Sequence, residues 1–269
     1  MFQGKTFVIL TGASKGFGQA LACSLAREFS KDNVGKESVL VLVARSKEGL
    51  ETTRSMVAKI SSDLTVHAIP GDLSDLTNVD AFISSIFEID DSKLFSSAVL
   101  INNAGSLGSK IKSIPNHTDV EEIRKYMDFN ITSSVYLTSR FLNRFSTTKN
   151  YVIQISSLCA VEATPSLPLY CTGKAARDMF NKVLALESKD VRVLNYAPGP
   201  MDTEMYDEIM NKSDSEPVRK MFVEMKEEDK VLKPETSADK LVCILKDDSY
   251  ESGAHIDYFD KIPWEKVPF

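Results

Sequence analysis

The chain has few of the residues that disulfide-rich, metal-binding and triad-type hydrolytic proteins depend on. Its 269 residues include only four cysteines and three histidines. Both sets are scattered along the chain, at Cys23, Cys159, Cys171, Cys243, His67, His117 and His255. No Cys-x-x-Cys pair is present, so the sequence favours reduced thiols over a disulfide framework. It predicts neither a zinc or other metal site nor a Ser-His-Asp triad.

The chain also lacks a basic excess and a long apolar run. Lys and Arg total 32 against 38 Asp and Glu, a net charge of -6, which argues against a nucleic-acid partner. No run approaches the ~20 apolar residues of a membrane helix, so no membrane partner is expected. The first residues, Met1-Phe2-Gln3-Gly4-Lys5, lead into an apolar run without a small-residue cleavage site. We therefore expect no secretory signal and a cytoplasmic location.

No internal repeat, low-complexity segment or linker divides the chain, and we predict a single domain spanning residues 1–269. Short apolar runs alternate with longer amphipathic stretches. The runs predict strands at 6–10, 38–44, 65–69, 98–101, 151–155, 191–196 and 254–259. The stretches predict helices at 16–30, 47–61, 78–89, 120–145, 169–188 and 238–246. Nearly continuous hydrophobicity in the first six runs is typical of buried parallel strands, which predicts an α/β fold with a Rossmann-type doubly wound sheet.

Residues 201–235 depart from this alternation, with charged, short-period helical patterning. One interpretation is a solvated excursion. The other is a lid over a pocket, because lids tend to occur in long insertions after sheet strands.

The unusual local sequences all follow predicted strands, at the sheet edge where ligands bind in open α/β folds. After the first strand comes a glycine-rich loop formed by Gly12, Ala13, Ser14, Lys15, Gly16, Phe17 and Gly18. Such a loop lets a pyrophosphate approach a helix N-terminus, although a glycine turn without a ligand is the alternative. Gly-Lys-Ser is absent, which excludes the P-loop of nucleoside triphosphatases.

The second strand ends in Val43-Ala44-Arg45-Ser46 and lacks the acid that would bind an adenosine ribose in an NAD-preferring protein. Arg45 and Lys15 instead suit a 2′-phosphate, which predicts NADP(H) as the cofactor. A merely solvated Arg45 is the alternative.

Further candidates for cofactor contacts follow the later strands. Asp72 and Leu73 suit an adenine amino group, although Asp72 is equally suited to cap a helix. The loop with Asn102, Ala104 and Gly105 permits close backbone approach to a ribose. A rigid turn after the sixth strand, suited to shaping a nicotinamide pocket, contains Pro198, Gly199, Met201, Asp202 and Thr203.

Tyr170 and Lys174 lie four residues apart in a predicted helix, so that their side chains share one face. A cation beside a phenol lowers a pKa that starts near ~10, which would equip Tyr170 for acid–base chemistry. By itself this spacing also occurs by chance on solvated helices.

Taken together, the chain resembles the short-chain dehydrogenase/reductase family. Five pieces of the sequence match the family in order along the chain. They are Thr11 to Gly18, Asn102 to Gly105, Ser157, the pair Tyr170 and Lys174, and Pro198-Gly199. The resemblance covers nearly the whole chain. It implies a seven-stranded parallel sheet of order 3-2-1-4-5-6-7 and a homodimer, with a tetramer as the alternative.

Within the family the chain is most similar to reductases of pterins, which implies a small-molecule pterin substrate and hydride transfer from NADPH to a side-chain ketone. The implied catalytic residues are Ser157, Tyr170, Lys174 and Asn130. Both Tyr170 and Lys174 are implied to contact the cofactor as well. Substrate contacts are implied for Ser157, Leu158, Tyr170, Gly199 and Asp257, the last as the pterin anchor.

Alternatives remain at this stage. Without the resemblance Asp257 reads as a surface acid, and Cys159 and Cys171 as packing residues. A reductase of another carbonyl compound, such as a diketone, a steroid or an acyl thioester, is the second enzymatic hypothesis. A non-catalytic NADP-binding scaffold is the third, although such proteins commonly lack a catalytic residue that this chain retains.

Overall fold

The structure, a computed structural model, describes residues 4–31, 37–90 and 95–261. Within these residues seven strands form one parallel sheet in the order β3-β2-β1-β4-β5-β6-β7, which confirms the predicted order. The strands are β1 (Thr6–Thr11), β2 (Val39–Ala44), β3 (Thr65–Pro70), β4 (Ser97–Asn102), β5 (Lys149–Ile155), β6 (Val191–Ala197) and β7 (Ala254–Asp257).

Helices connect the strands and cover the sheet. They are α1 (Gly16–Phe29), α2 (Lys47–Ile60), α3 (Val79–Phe87), α4 (Val120–Met127), α5 (Ser133–Arg144), α6 (Pro168–Glu187), α7 (Glu204–Lys212), α8 (Glu216–Glu227) and α9 (Pro234–Asp247). Prolines occupy the first turns of α6, α8 and α9, where the missing N–H would have had no helical partner. The fold class and the alternation of strands and helices are therefore as predicted.

Strand β1 shows why the sheet is covered on both faces. Val8 and Leu10 belong to one apolar cluster, packed with α1, α2 and α9, while Phe7 and Ile9 belong to a second, packed with α3 and α5. Alternate side chains of a strand point to opposite faces, so β1 contributes to two cores. Burial on both faces accounts for its nearly continuous hydrophobicity.

The predicted helix over 120–145 is interrupted. Between α4 and α5 lies one π-helical turn, Asp128–Thr132, which contains Asn130. The Asn130 Nδ2 donates to the Tyr126 carbonyl at 3.0 Å, which competes with the regular helical bonding of that carbonyl. Such wide turns are common where a helix aims a side chain inward, and Asn130 is 4% exposed.

Residues 201–235 contain α7 and α8. The beginning and the end of this segment lie side by side. Met201 pairs with Leu232 in a short parallel bridge, and the Asp202 N–H donates to the Leu232 carbonyl at 2.9 Å. Ile209 of α7 and Val218 of α8 are buried. Each of these helices therefore has an apolar face that packs inward, while most of its charged residues face solvent. Among the described residues, no helix has both the length and the apolarity to cross a membrane.

Candidate active site

The glycine-rich loop after β1 forms a backbone cradle. A Cβ on Gly18 would lie 2.2 Å from the Gly12 carbonyl oxygen, and one on Gly12, where φ is +68°, would lie 2.8 Å from the Asn103 Nδ2. Neither position therefore accepts a side chain without movement. Lys15, which precedes α1, makes no side-chain cap. The first N–H groups of α1 thus have no side-chain acceptor, which suits an anion.

A cleft of about 890 Å³ opens at the carboxyl edge of the sheet beside this loop. Most of the residues predicted to contact a cofactor line it. They are Gly12, Ser14, Lys15, Gly16, Phe17, Gly18, Arg45, Ser46, Leu73, Ala104, Gly105, Tyr170, Lys174, Pro198, Met201, Asp202 and Thr203. A glycine cradle, a bare helix N-terminus and two cations on one cleft fit a phosphate-containing dinucleotide.

Three predicted cofactor residues lie outside this lining. Ala13 is fully buried, and its N–H donates to the Val43 carbonyl at 3.3 Å. The Asn102 side chain donates to Thr138 Oγ1 at 2.9 Å. Asp72 is exposed and accepts from the Ser74 N–H at 2.9 Å and hydroxyl at 2.7 Å, so it stabilises a turn rather than α3.

Both predicted phosphate-binding cations line the cleft. The Arg45 guanidinium lies 5.8 Å from the centre of the Phe129 ring. Lys15 forms an exposed ion pair with Glu204, the first residue of α7. This contact joins the glycine loop to the segment formed by α7 and α8.

Tyr170 and Lys174 line the cleft, and Ser157 lies outside its lining. The Lys174 Nζ lies 5.5 Å from the centre of the Tyr170 ring and donates to the Ile155 carbonyl at 2.6 Å. The Ser157 hydroxyl is near enough to act on the pKa of the Tyr170 phenol as a hydrogen-bonding partner. β5 and α6 therefore bring together three residues that the sequence predicted as one catalytic group.

The electrostatics of this group differ from the expectation of a tyrosine acidified by its lysine. Burial raises the pKa of the Tyr170 phenol, against the smaller lowering effects of the Ser157 hydrogen bond and of Arg177. Burial, with Arg177, also lowers the pKa of Lys174 to about 7. The expected lowering of the tyrosine pKa is therefore wrong for the protein alone, because removal from water outweighs the lowering effects of Ser157 and Arg177.

Arg177, which was not predicted from the sequence, joins α6 to the end of β5 and to the loop after β4. It is 3% exposed, and its guanidinium donates to the carbonyls of Asn102 and Ala104 and to the Gln154 Oε1, at 2.8 to 2.9 Å. The only signal in the sequence was a basic residue three positions after Lys174, on the same helix face.

Asn130, in the π-helical turn, contacts the loop that follows β4. Its Oδ1 accepts from the Ser106 N–H at 2.8 Å, and its Nδ2 lies 3.3 Å from the Ser106 hydroxyl. The side chain does not line the cleft itself. It holds the residue that follows Gly105, one of the predicted cofactor contacts.

An apolar cluster extends from the far side of Tyr170. Its buried members come from three separate parts of the chain and are Leu107, Ile111, Leu167, Ile209 and Val218. Cys159, Tyr170, Cys171, Met205 and Phe222 pack against them. We call this set the apolar cluster. Of this set, Tyr170 and Met205 also line the cleft.

The remaining predicted substrate contacts lie at the rim. Leu158 is 50% exposed. Asp257 ends β7 opposite Ala197, and its half-buried carboxylate accepts from the Phe259 N–H at 2.9 Å. A Cβ on Gly199, where φ is +76°, would lie 2.9 Å from Leu232 and 3.5 Å from Tyr258. Asp257 and Gly199 are thus near the same edge but outside the cleft lining.

The described residues contain no group of three or more His, Cys, Asp or Glu suited to hold a metal ion.

Comparison with known proteins gives consistent matches. The short chain dehydrogenase family matches residues 6–214. Sepiapterin reductase of Bos taurus is 38% identical over 261 residues, covering 96% of both chains, and that of Rattus norvegicus is 39% identical over 260 residues, covering 96% of this chain and 97% of the relative. The crystal structure of the KRED1-Pglu enzyme shares the fold, with a TM-score of 0.79, 23% identity, and coverage of 94% of this chain and 100% of that one.

Proposed function

Because the chain belongs to the short chain dehydrogenase family, and is therefore an oxidoreductase, we propose that it is an NADPH-dependent reductase of pterin side-chain ketones. The reaction is that of a sepiapterin reductase: sepiapterin to dihydrobiopterin, or 6-pyruvoyl-tetrahydropterin to tetrahydrobiopterin. The observation that carries the proposal is the position of Tyr170 at a junction: it lines the cleft and also packs against the apolar cluster. Similarity to sepiapterin reductases over 96% of the chain supports the pterin substrate.

The residues at this junction suit the proton half of a ketone reduction. A reduced nicotinamide, when bound, would supply the hydride. Tyr170 would donate the proton to the developing alkoxide, and Ser157 would hydrogen-bond the same oxygen. Lys174 would supply positive charge and hold the nicotinamide ribose, while Asn130 orders the loop beside Gly105. Because burial, with the charge of Cys159, raises the pKa of Tyr170, the phenol stays protonated and ready to donate near neutral pH.

The preference for NADP(H) rests on Arg45 and Lys15. Arg45→Gln should lower kcat/KM with NADPH about tenfold, since a charge-assisted bond to phosphate is worth about 1.5 to 3 kcal/mol. The same variant should change kcat/KM with NADH less than about twofold. Lys47→Gln is the matched control, because Lys47 is exposed and outside the cleft lining. A wild-type preference for NADH would refute the assignment.

The pterin anchor is proposed to be Asp257. A carboxylate matches the planar donor pair of an aminopyrimidinone in a two-point hydrogen bond. Asp257→Ala should raise KM for the pterin about tenfold and leave KM for NADPH unchanged. Glu251→Ala is the control, because Glu251 is an exposed acid on the turn before β7. An equal effect of Asp257→Ala on both KM values would count against the anchor.

The assay that tests the function follows NADPH oxidation with sepiapterin, a small diketone and a steroid ketone as parallel substrates. We expect sepiapterin to have the highest kcat/KM. The apolar cluster favours a second candidate, the reduction of a less polar ketone. If the diketone or the steroid exceeds sepiapterin by tenfold or more, that second candidate replaces the first.

Further parts of the proposal concern assembly and access. We propose that 201–235 acts as a lid over the substrate end of the cleft.

We also propose a homodimer in the cytoplasm, with the exposed apolar side chains Met179, Val183 and Leu186 of α6 in the interface. Replacing all three by Ser should convert the dimer to a monomer in sedimentation velocity. An unchanged sedimentation coefficient would exclude this face.

A further inference from the structure

Two of the four cysteines share one environment beside the catalytic group. Cys159 lies in the 3-10 turn Leu158–Ala160 after β5, and Cys171 lies in the first turn of α6. The 3-10 turn packs directly against α6, and both cysteines are half-buried against the apolar cluster, where each thiol shifts the pKa of the other as a hydrogen-bonding partner. Cys23 is buried against α9, and Cys243 is exposed on α9.

The surroundings make the two thiols chemically unequal. The Cys159 Sγ lies 3.3 Å from Thr164 Oγ1. Hydrogen bonds from Cys171, Thr164 and Ser157, with the charge of Lys174, lower the pKa of Cys159 despite its burial. The Cys171 pKa is raised by the same contact and by burial. A thiol of lowered pKa beside one of raised pKa is the arrangement of an attacking and a resolving cysteine.

We propose that Cys159 and Cys171 form a redox-sensitive modification site for peroxide-class oxidants, in which Cys159 is oxidised first and Cys171 closes a disulfide. The Cys159 thiolate attacks one peroxide oxygen of hydrogen peroxide, which breaks the O–O bond and gives a sulfenic acid and hydroxide. The Cys171 sulfur then displaces the sulfenic oxygen, and that oxygen and the thiol proton leave in water. The sum is two thiols and one peroxide converted to one disulfide and two waters.

Closure of this disulfide acts on the catalytic group through the chain. Ser157 precedes Cys159 by two residues, and its hydroxyl accepts from the Cys159 N–H at 3.2 Å. Tyr170 directly precedes Cys171. A disulfide brings two sulfurs from hydrogen-bonding contact to about 2.05 Å, which draws the 3-10 turn toward α6. The bond between Ser157 and Tyr170 is then displaced, and turnover falls until a dithiol reduces the disulfide.

The chemistry is tested without any substrate, so its failure is distinct from failure of the proposed reductase activity. The wild-type protein is treated with dilute hydrogen peroxide, and the products are identified by intact mass and peptide mapping. We expect the intact mass to fall by two hydrogen atoms. Peptide mapping should show one disulfide, between Cys159 and Cys171. Cys243→Ser is the matched control and should form the same link. A link that involves Cys23 or Cys243, or no link at all, overturns the proposal.

Single variants resolve the order of events. Cys171→Ser should stop at a Cys159 sulfenic acid that dimedone traps, and Cys159→Ser should give no dimedone adduct at Cys171. Equal trapping at both positions would contradict the assigned order. In the wild type and in Cys243→Ser, turnover should fall at least fivefold in step with the linked fraction and return with dithiothreitol. Full activity in fully linked protein would overturn the effect on catalysis.

Discussion

The two halves of the cleft are built in different ways. The glycine-loop half is mostly main chain, with positions such as Gly12 and Gly18 where a Cβ would collide with backbone or the Asn103 amide. The Tyr170 half is mostly side chain, and it is backed by the apolar cluster, whose members Leu107, Leu167 and Ile209 come from distant parts of the chain. The first half depends on local backbone geometry, and the second on how long connections dock. A variant in one half should therefore leave the other half's ligand largely undisturbed.

The largest effect is expected from Tyr170→Phe. Removal of the proton donor should lower kcat about 10² to 10⁴-fold, the usual contribution of a general acid. The dissociation constant for NADPH should change less than about threefold, because the glycine-loop half is untouched. Turnover by stopped flow and NADPH binding by fluorescence give the two quantities. Tyr136→Phe removes an exposed hydroxyl bonded to Asp80 and should leave both unchanged. Near-full turnover of Tyr170→Phe would contradict the assignment.

Arg177→Met should disturb both halves, because Arg177 joins them. The change leaves the buried carbonyls of Asn102 and Ala104 without the donor seen here, at an expected cost of about 2 to 3 kcal/mol in the free energy of unfolding. Urea titration measures this. Arg124→Met removes an exposed ion pair and should cost less than about 1 kcal/mol. Equal values for the two variants would show that the buried contacts carry no special stability.

Gly18→Ala should act on the glycine-loop half alone. The new methyl group would lie 2.2 Å from the Gly12 carbonyl oxygen, and relief of this overlap should cost about 1 to 3 kcal/mol and weaken NADPH binding about tenfold. Gly105→Ala is the control, since Gly105 also lines the cleft, has no positive φ, and would bring its Cβ no nearer than 3.5 Å to the Asn130 Oδ1. Calorimetric titration with NADPH compares them. If Gly105→Ala binds as weakly as Gly18→Ala, close backbone approach is not the cause.

The smallest effect is expected from Asp214→Ala, in the Tyr170 half. The Asp214 carboxylate accepts from the Ser113 N–H at 2.7 Å and from the Asn116 Nδ2 at 3.2 Å, which ties the loop before α8 to the loop after β4. Its loss should raise KM for the carbonyl substrate about threefold, as expected for exposed contacts worth roughly 0.5 to 1 kcal/mol together, and leave KM for NADPH unchanged. Glu227→Ala, also exposed, should change neither. A larger effect on NADPH would contradict the separation of the halves.

The sequence indicated where the glycine-loop half of the cleft lies, because its determinants are local: the glycines and Arg45 after β2 act through their neighbours in the chain, and they line the cleft. The Tyr170–Lys174 spacing in the other half is local in the same way. Arg177 escaped prediction because two of its acceptors are main-chain carbonyls from β4 and the loop that follows, which residue identity does not reveal. The π-helical turn at Asn130 was equally hidden, since it depends on one side chain competing for the Tyr126 carbonyl. The direction of the Tyr170 pKa depended on burial that only the packed structure provides.

The Tyr170 half was less predictable for a physical reason. Ile111, Leu167 and Ile209 meet only after two long connections have docked, and no local pattern indicates that contact. The contact between Cys159 and Cys171 belongs to the same class. It follows from the approach of a turn after β5 to the first turn of α6, and the sequence alone favoured simple packing.

The most direct measurement of the central claim follows one hydride. NADPH carrying deuterium at the transferred C4 position is incubated with the protein and sepiapterin, and the product is examined by NMR and mass spectrometry. The account predicts one deuterium on the side-chain carbon that becomes the alcohol, and almost none after Tyr170→Phe over the same time. Product without deuterium, or unchanged sepiapterin with the wild-type protein, would contradict it.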